Sequence, residues 1–117
     1  MKEMKLNQYQ EGALSTAIYP KEYRIIYPAL GLSGEAGEVA DKVKKVIRDS
    51  HGEFSENRRV DIAYELGDVL WYVATMAHDL GFTLDEIGRM NLEKLALRKK
   101  KGLIGGSGDH RENEGDA

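Results

Sequence analysis

The chain has 117 residues, 41% apolar and 32% charged, a balance that suits one globular domain and argues against disorder over most of its length. Seventeen Lys+Arg against twenty Asp+Glu leave a net charge of −3, no signature of a nucleic-acid binder, and the lack of Cys excludes disulfides, thiolate zinc sites and cysteine nucleophiles. No apolar run approaches the roughly 18–20 residues of a membrane span, and the N-terminal MKEMKLNQYQEG has no apolar signal core, so the expected location is the cytoplasm.

In chain order, the pattern predicts helix A over about Leu6–Ile18, closed by Pro20, then a tyrosine-rich bridge from Tyr19 to Tyr27. Helix B covers about Pro28–Asp49, with Pro28 at the first helical position, where a missing N–H costs nothing. A loop over Ser50–Asn57 contains His51-Gly52, and helix C covers about Glu56–Leu80, stopped by Gly81. Thr83 and Glu86 have capping-box spacing and open helix D, which runs to about Lys100. The domain organisation expected is a helical domain over 1–101 and a glycine-rich, acidic segment over 102–117 that is either a flexible tail or a lid. The fold class is all-α, most simply a four-helix arrangement whose antiparallel B–C hairpin carries the metal site.

The informative residues are Glu35, Glu38, Glu65 and Asp68. Each pair is spaced i,i+3, which sets both carboxylates on one helix face, one turn apart. On helix B, Leu32, Val39, Val43 and Val46 form an apolar arc with Glu35 and Glu38 on one flank. On helix C, Ile62, Leu66, Val69, Val73, Met76 and Leu80 form the arc, with Glu65 and Asp68 on the same-handed flank. Antiparallel packing brings like flanks together. The midpoint of Glu35 and Asp68 coincides with that of Glu38 and Glu65, and both fall between His51 and Gly52, so folding the hairpin lifts all four acids to one level. Such a group repels itself unless something positive sits in it, and a hard divalent cation serves best. The plain alternative is a set of solvated surface acids, with Glu38 pairing with Lys42 at i,i+4.

Glycines Gly31, Gly34 and Gly37 recur through helix B, and Gly67 lies between the helix C acids, each costing on the order of 1 kcal/mol relative to Ala. Close approach of a ligand or another backbone explains such a cost. It is the preferred reading for Gly37, whereas Gly31 could equally be loop before a Ser33 cap. On helix D, Leu84, Ile87 and Leu95 mark the inward face, shared by Asn91 and Arg98 with Lys94 beside it. Phosphate oxygens would suit Lys94 and Arg98, and the alternative is that their stems lie over the core while their heads reach water. The run Arg98–Lys101 reads as a solvated, cationic helix end. Tyr64, Trp71 and His78 form a second stripe on helix C, covered either by a second protomer or by helix A and the Tyr19–Tyr27 segment.

GLSGEAGEVADKVKK, ELGDVLWYVA and NLEKLALRKKKG together closely resemble the MazG-like all-α nucleoside triphosphate pyrophosphohydrolases, of the short single-domain branch, over about Leu30 to Asp109. The ExxE of Glu35–Glu38, the ExxD of Glu65–Asp68 and the downstream Asn91, Lys94 and Arg98 carry it, and the tail motif GSGDHR is similar to members of that branch. The resemblance implies Mg²⁺-dependent cleavage of (deoxy)nucleoside triphosphates between the α- and β-phosphates, with Mn²⁺ as a substitute. It implies Glu35, Glu38, Glu65 and Asp68 as metal ligands and Glu38, Lys94 and Arg98 as catalytic groups. Leu32, Tyr72, Asn91, Lys94 and Arg98 would bind substrate. It also implies a homo-oligomer, a tetramer before a dimer. The rival class is a non-catalytic helical interaction or regulatory module with an acidic face. A di-iron bundle fails because His51, His78 and His110 all lack a Glu three residues before them, and the HExxH and P-loop motifs are absent.

Overall fold

The computed structural model describes residues 2–102, and all the regular structure among them is helical. The elements are α1 (Leu6–Leu14), a 3-10 turn (Lys21–Tyr23), α2 (Ile26–Ser50), α3 (Glu56–Asp79) and α4 (Leu84–Lys101). The chain divides into two compact units, residues 1–84 and 85–117, and each is described by itself. The expected segment over 102–117 lies, apart from Gly102, outside the described residues.

In the first unit α2 and α3 pack along each other and α1 packs on α3. The hairpin is antiparallel. Ile25, at the head of α2, donates its N–H to Asp79 at the end of α3 (2.9 Å), while Arg58 near the start of α3 donates to Ser50 Oγ at the end of α2 (3.1 Å). The turn between them lies where the sequence places it. His51 and Gly52 both have positive φ, 53° and 77°, and the Gly52 N–H returns to the Val46 carbonyl at 3.1 Å. That bond satisfies a carbonyl orphaned at the helix end. Ser55 then caps α3 by accepting the Arg58 N–H, and Gly81 (φ 89°) closes it.

Three boundaries differ from expectation. Helix α1 stops at Leu14 rather than Ile18, because the Ser15 and Thr16 hydroxyls bond back to the carbonyls of Gly12 (2.5 Å) and Ala13 (3.0 Å). Such local bonds compete with helix propagation. Helix α2 begins at Ile26, so Pro28 is its third residue; it is still in the first turn, where an amide would have no intrahelical partner. Helix α3 ends at Asp79, with Leu80 as its cap.

The core is thin and built from small side chains. Val46, Ala13, Ala74, Thr75 and Ala77 are buried, whereas Leu66 and Leu80, both placed inward by periodicity, are 54% and 48% exposed. The apolar surface of α3 is wider than one partner helix can cover, and α1 docks where α3 is smallest in profile. Gln10 secures that docking. Its amide donates to the carbonyls of Ala74 and Phe82 (3.1 Å each), and its oxygen accepts the Leu84 N–H (3.1 Å). No helix of the described residues is long and apolar enough to cross a membrane.

Candidate metal and nucleotide site

Glu35 on α2 and Glu65 and Asp68 on α3 each bring a carboxylate oxygen within 4.8 Å of the others. Glu35 and Glu65 are half-buried and Asp68 is exposed, so the cluster opens to solvent on the Asp68 side. Burial, then the charges of Asp68, Glu65 and Glu38, raise the Glu35 pKa above the ordinary carboxylate value, and a hydrogen bond shared with Glu65 when Glu35 is protonated adds to this. Among the described residues no ion pair joins any of the three to a Lys or Arg. Three oxygen donors from two helices, mutually repelling and without a basic partner, form a donor set that fits a hard divalent cation.

Glu38 is exposed and outside this trio, one turn along α2, although its charge reaches Glu35. The alternative Glu38–Lys42 ion pair does not form. The cations of that turn go instead to Asp41, which holds Lys44 and Lys45 at 2.9 Å each and has its own pKa lowered to about 2 by those two hydrogen bonds.

An open cleft of about 350 Å³ adjoins the acids, lined by Thr16, Glu35, Asp68, Trp71 and Tyr72. Its size lies at the lower end of small-molecule sites. Trp71 donates its indole N–H to Thr16 Oγ1 at 2.9 Å and stands edge-on to Tyr72, with centroids 4.9 Å apart. Behind Tyr72 lie Tyr27, at 6.4 Å, and then Tyr19, stacked on Tyr27 at 4.9 Å. Gly31 makes this possible. A Cβ there would fall on the Tyr72 ring, so Gly31 is helical and is a point of close approach. The close approach expected at Gly37 is not found among the described residues: a Cβ at Gly37, Gly34 or Gly67 would meet nothing within 4 Å.

Leu32 is half-buried on α2. In the second unit, Asn91 and Lys94 share one face of α4 with Ile87 and Met90 around a shallow depression. Arg98 is only 3% exposed, so its head does not reach water as a snorkelling side chain would, and the solvated run is Lys99–Lys101 alone. Leu95, expected inward, is 37% exposed.

Sequence reasoning missed Tyr9, Thr16 and Trp71 as neighbours of the acids. Burial, and then the charge of Asp68, raises the phenol pKa of Tyr9 on α1. Of the two covers open to Trp71, one within the chain is found: Thr16, inside the range expected for helix A, accepts the indole N–H, and Trp71 is half-buried. The available signal was the early stop of α1, which frees the Thr16 hydroxyl for the indole.

These features define an all-α protein with a cluster of three carboxylates, a candidate metal site, set beside an aromatic cleft. Residues 28–103 match the family model of the MazG nucleotide pyrophosphohydrolase domain, and the chain belongs to that family. It is 46% identical over 114 residues to the Gene 37 protein of Mycobacterium phage L5, a match covering 92% of this chain and 100% of that protein. No solved structure matches.

Proposed function

We propose that the protein hydrolyses nucleoside or deoxynucleoside triphosphates to the monophosphate and pyrophosphate in a Mg²⁺-dependent reaction, with Mn²⁺ as a substitute. The observation that carries this is the trio Glu35, Glu65 and Asp68, which has no ion pair to a Lys or Arg among the described residues and borders a cleft walled by aromatic rings. These three, with Glu38, would hold the ion, which when bound neutralises phosphate charge and makes the α-phosphorus more electrophilic. Glu38, exposed like Asp68, orients the attacking water and takes its proton. The water oxygen bonds to the α-phosphorus, the bond to the α–β bridging oxygen breaks, and pyrophosphate leaves. Tyr72 presents its face to the nucleoside from the cleft wall, and Leu32 and Asn91 add contacts to it. Lys94 and Arg98 balance charge on the phosphates as the transition state develops.

In the same proposal the protein works in the cytoplasm as a homo-oligomer, a tetramer before a dimer. This rests on α3, where Val60, Ala63, Tyr64 and Gly67 line a wide concavity beside Asp68 and Tyr64 is 75% exposed. An aromatic of that exposure on an apolar surface is better accounted for by a second protomer. The deciding experiment incubates the protein with all common NTPs and dNTPs and Mg²⁺ and scores pyrophosphate against orthophosphate. Pyrophosphate in equal amount to monophosphate is expected. No release from any of them, or orthophosphate alone, would refute the reading.

A further inference from the structure

Asp79 occupies an unfavourable place for an acid. It is the last residue of α3, where the helix dipole is negative and cations, not carboxylates, are stabilised. It is half-buried, and the cavity of about 250 Å³ that it lines with Tyr19 and His78 also contains Lys21 and Arg24. Its partners are nonetheless neither of those cations. One oxygen, Oδ2, accepts both the Tyr19 hydroxyl (2.7 Å) and the Ile25 N–H (2.9 Å).

Both partners lead to the cleft. Ile25 has φ 70° and ψ −54°, a left-handed conformation that a β-branched residue adopts at a cost. It forms the centre of a γ-turn closed by the Ile26 N–H on the Arg24 carbonyl at 2.7 Å. Ile25, the N-cap of α2, has no side-chain oxygen to offer the first-turn amides, and its own N–H goes to Asp79 on the neighbouring helix, as it would go to the N3 acid of a capping box. The γ-turn fixes where α2 begins and so where Tyr27, its second residue, is placed. Tyr19 stacks on that Tyr27 ring at an interplanar angle of 16°, and Tyr27 in turn abuts Tyr72. Burial, the Asp79 hydrogen bond and the Asp79 charge push the Tyr19 phenol up to about 12, so it remains a proton donor throughout the physiological range. On α3, Asp79 lies two turns beyond Tyr72 on the same face, so one helix carries both the cleft ring and the acid behind it.

We propose that Asp79 is a positioning residue for the cleft: through one carboxylate oxygen it holds Tyr19 and the Ile25 γ-turn, and by them the Tyr27 ring that backs Tyr72. The inference rests on the reading of that cleft as the nucleotide site. Asp79 belongs neither to the acid trio nor to the cleft lining, so its effect falls on ligand affinity and not on the chemical step.

The test compares Asp79→Ala, Asp79→Asn and Tyr19→Phe. Steady-state kinetics on the best triphosphate should show KM raised about tenfold in Asp79→Ala with kcat within about twofold, the pattern of lost uniform binding. The amide oxygen of Asp79→Asn can accept both donors, so most of the affinity should return. In the Tyr19→Phe background Asp79→Ala should cost less than in the wild type, because the two act in series. Binding of nucleoside monophosphates, followed by the fluorescence of Trp71, the single tryptophan, repeats the comparison without turnover. If the wild type binds these monophosphates yet hydrolyses no triphosphate, the proposed reaction falls and the fluorescence series still decides the part of Asp79. An unchanged KM and monophosphate affinity in folded Asp79→Ala would overturn the inference. So would a loss confined to kcat, an Asp79→Asn variant as impaired as Asp79→Ala, or a wild type that binds none of the monophosphates. If Asp79→Ala fails to fold, Tyr19→Phe alone must still raise KM, and an unchanged value there overturns it too.

Discussion

Substituting Gly31 by Ala sets two opposed effects against each other, and the structure decides between them. In an open helical position the change gains up to about 1 kcal/mol from backbone propensity. At Gly31, however, the added Cβ would overlap Cδ1, Cε1 and Cζ of Tyr72. The ring has little room to retreat, since Trp71 stands edge-on to it at 4.9 Å and Tyr27 backs it at 6.4 Å. Overpacking of this kind costs roughly 1–3 kcal/mol. The net expectation is a loss of about 1 kcal/mol, or roughly 4–8 °C in Tm for a domain of this size. Gly37→Ala, with nothing within 4 Å of its Cβ, serves as the matched control and should gain stability. In a Tyr72→Ala background the obstruction is gone, and Gly31→Ala should turn from destabilising to neutral or better. Thermal melts of the four variants suffice. If Gly31→Ala in the wild-type background melts at or above Gly37→Ala, the close approach of Tyr72 to α2 is wrong.

Three further outcomes are expected. Because the folded-state pKa of Glu35 is raised, its ionisation opposes folding, so the metal-free protein should gain stability as pH falls toward the carboxylate range and lose it as pH rises through the Glu35 pKa; Glu35→Gln should remove that dependence, raise Tm in chelator and diminish the Mg²⁺-induced rise, and a wild-type Tm indifferent to both pH and Mg²⁺ would contradict this. Glu38→Gln should abolish turnover with helical circular dichroism intact, and Lys94→Ala and Arg98→Ala should each lower kcat/KM, so near-normal kinetics in any of them would remove that residue from the site. Light scattering at micromolar concentration should return a multiple of 13.1 kDa that Tyr64→Glu shifts downward, and a monomeric wild type would end the oligomer proposal.

The hairpin and its acids were legible because they follow from spacing alone. The i,i+3 pairs and a turn at their common midpoint fix which residues meet, and His51-Gly52 supplies the left-handed backbone that such a turn requires. Glu38 is the one acid that the level argument groups with the others and that falls outside the trio, since a helix presents neighbouring turns at different heights and angles. The aromatic half of the site was not legible. Tyr27 and Tyr19 stand behind the cleft ring through the γ-turn at Ile25, which has no local signature, whereas the early end of α1 that brings Thr16 to Trp71 is signalled only by the Ser15-Thr16 pair. A β-branched residue at positive φ runs against propensity and is held there by Asp79, which is 54 positions away. The glycines show the same division. Helical spacing marks all of them alike, and only the fold identifies Gly31 as the one that a ring abuts.

The three bonds made by Gln10 give α1 a significance out of proportion to its nine residues. A single amide group completes the hydrogen bonding of Ala74, Phe82 and Leu84, which lie in a late turn of α3, the connection after it and the first residue of α4. Detaching α1 would therefore strand two carbonyls and an amide at once, each such loss costing about 1–3 kcal/mol where water cannot enter. Fraying of the N-terminus is thereby confined to the residues before this clasp. The Leu84 amide, which lies far along the chain, becomes a reporter of whether the first helix is in place: its deuterium uptake should track the undocking of α1 rather than the local opening of α4.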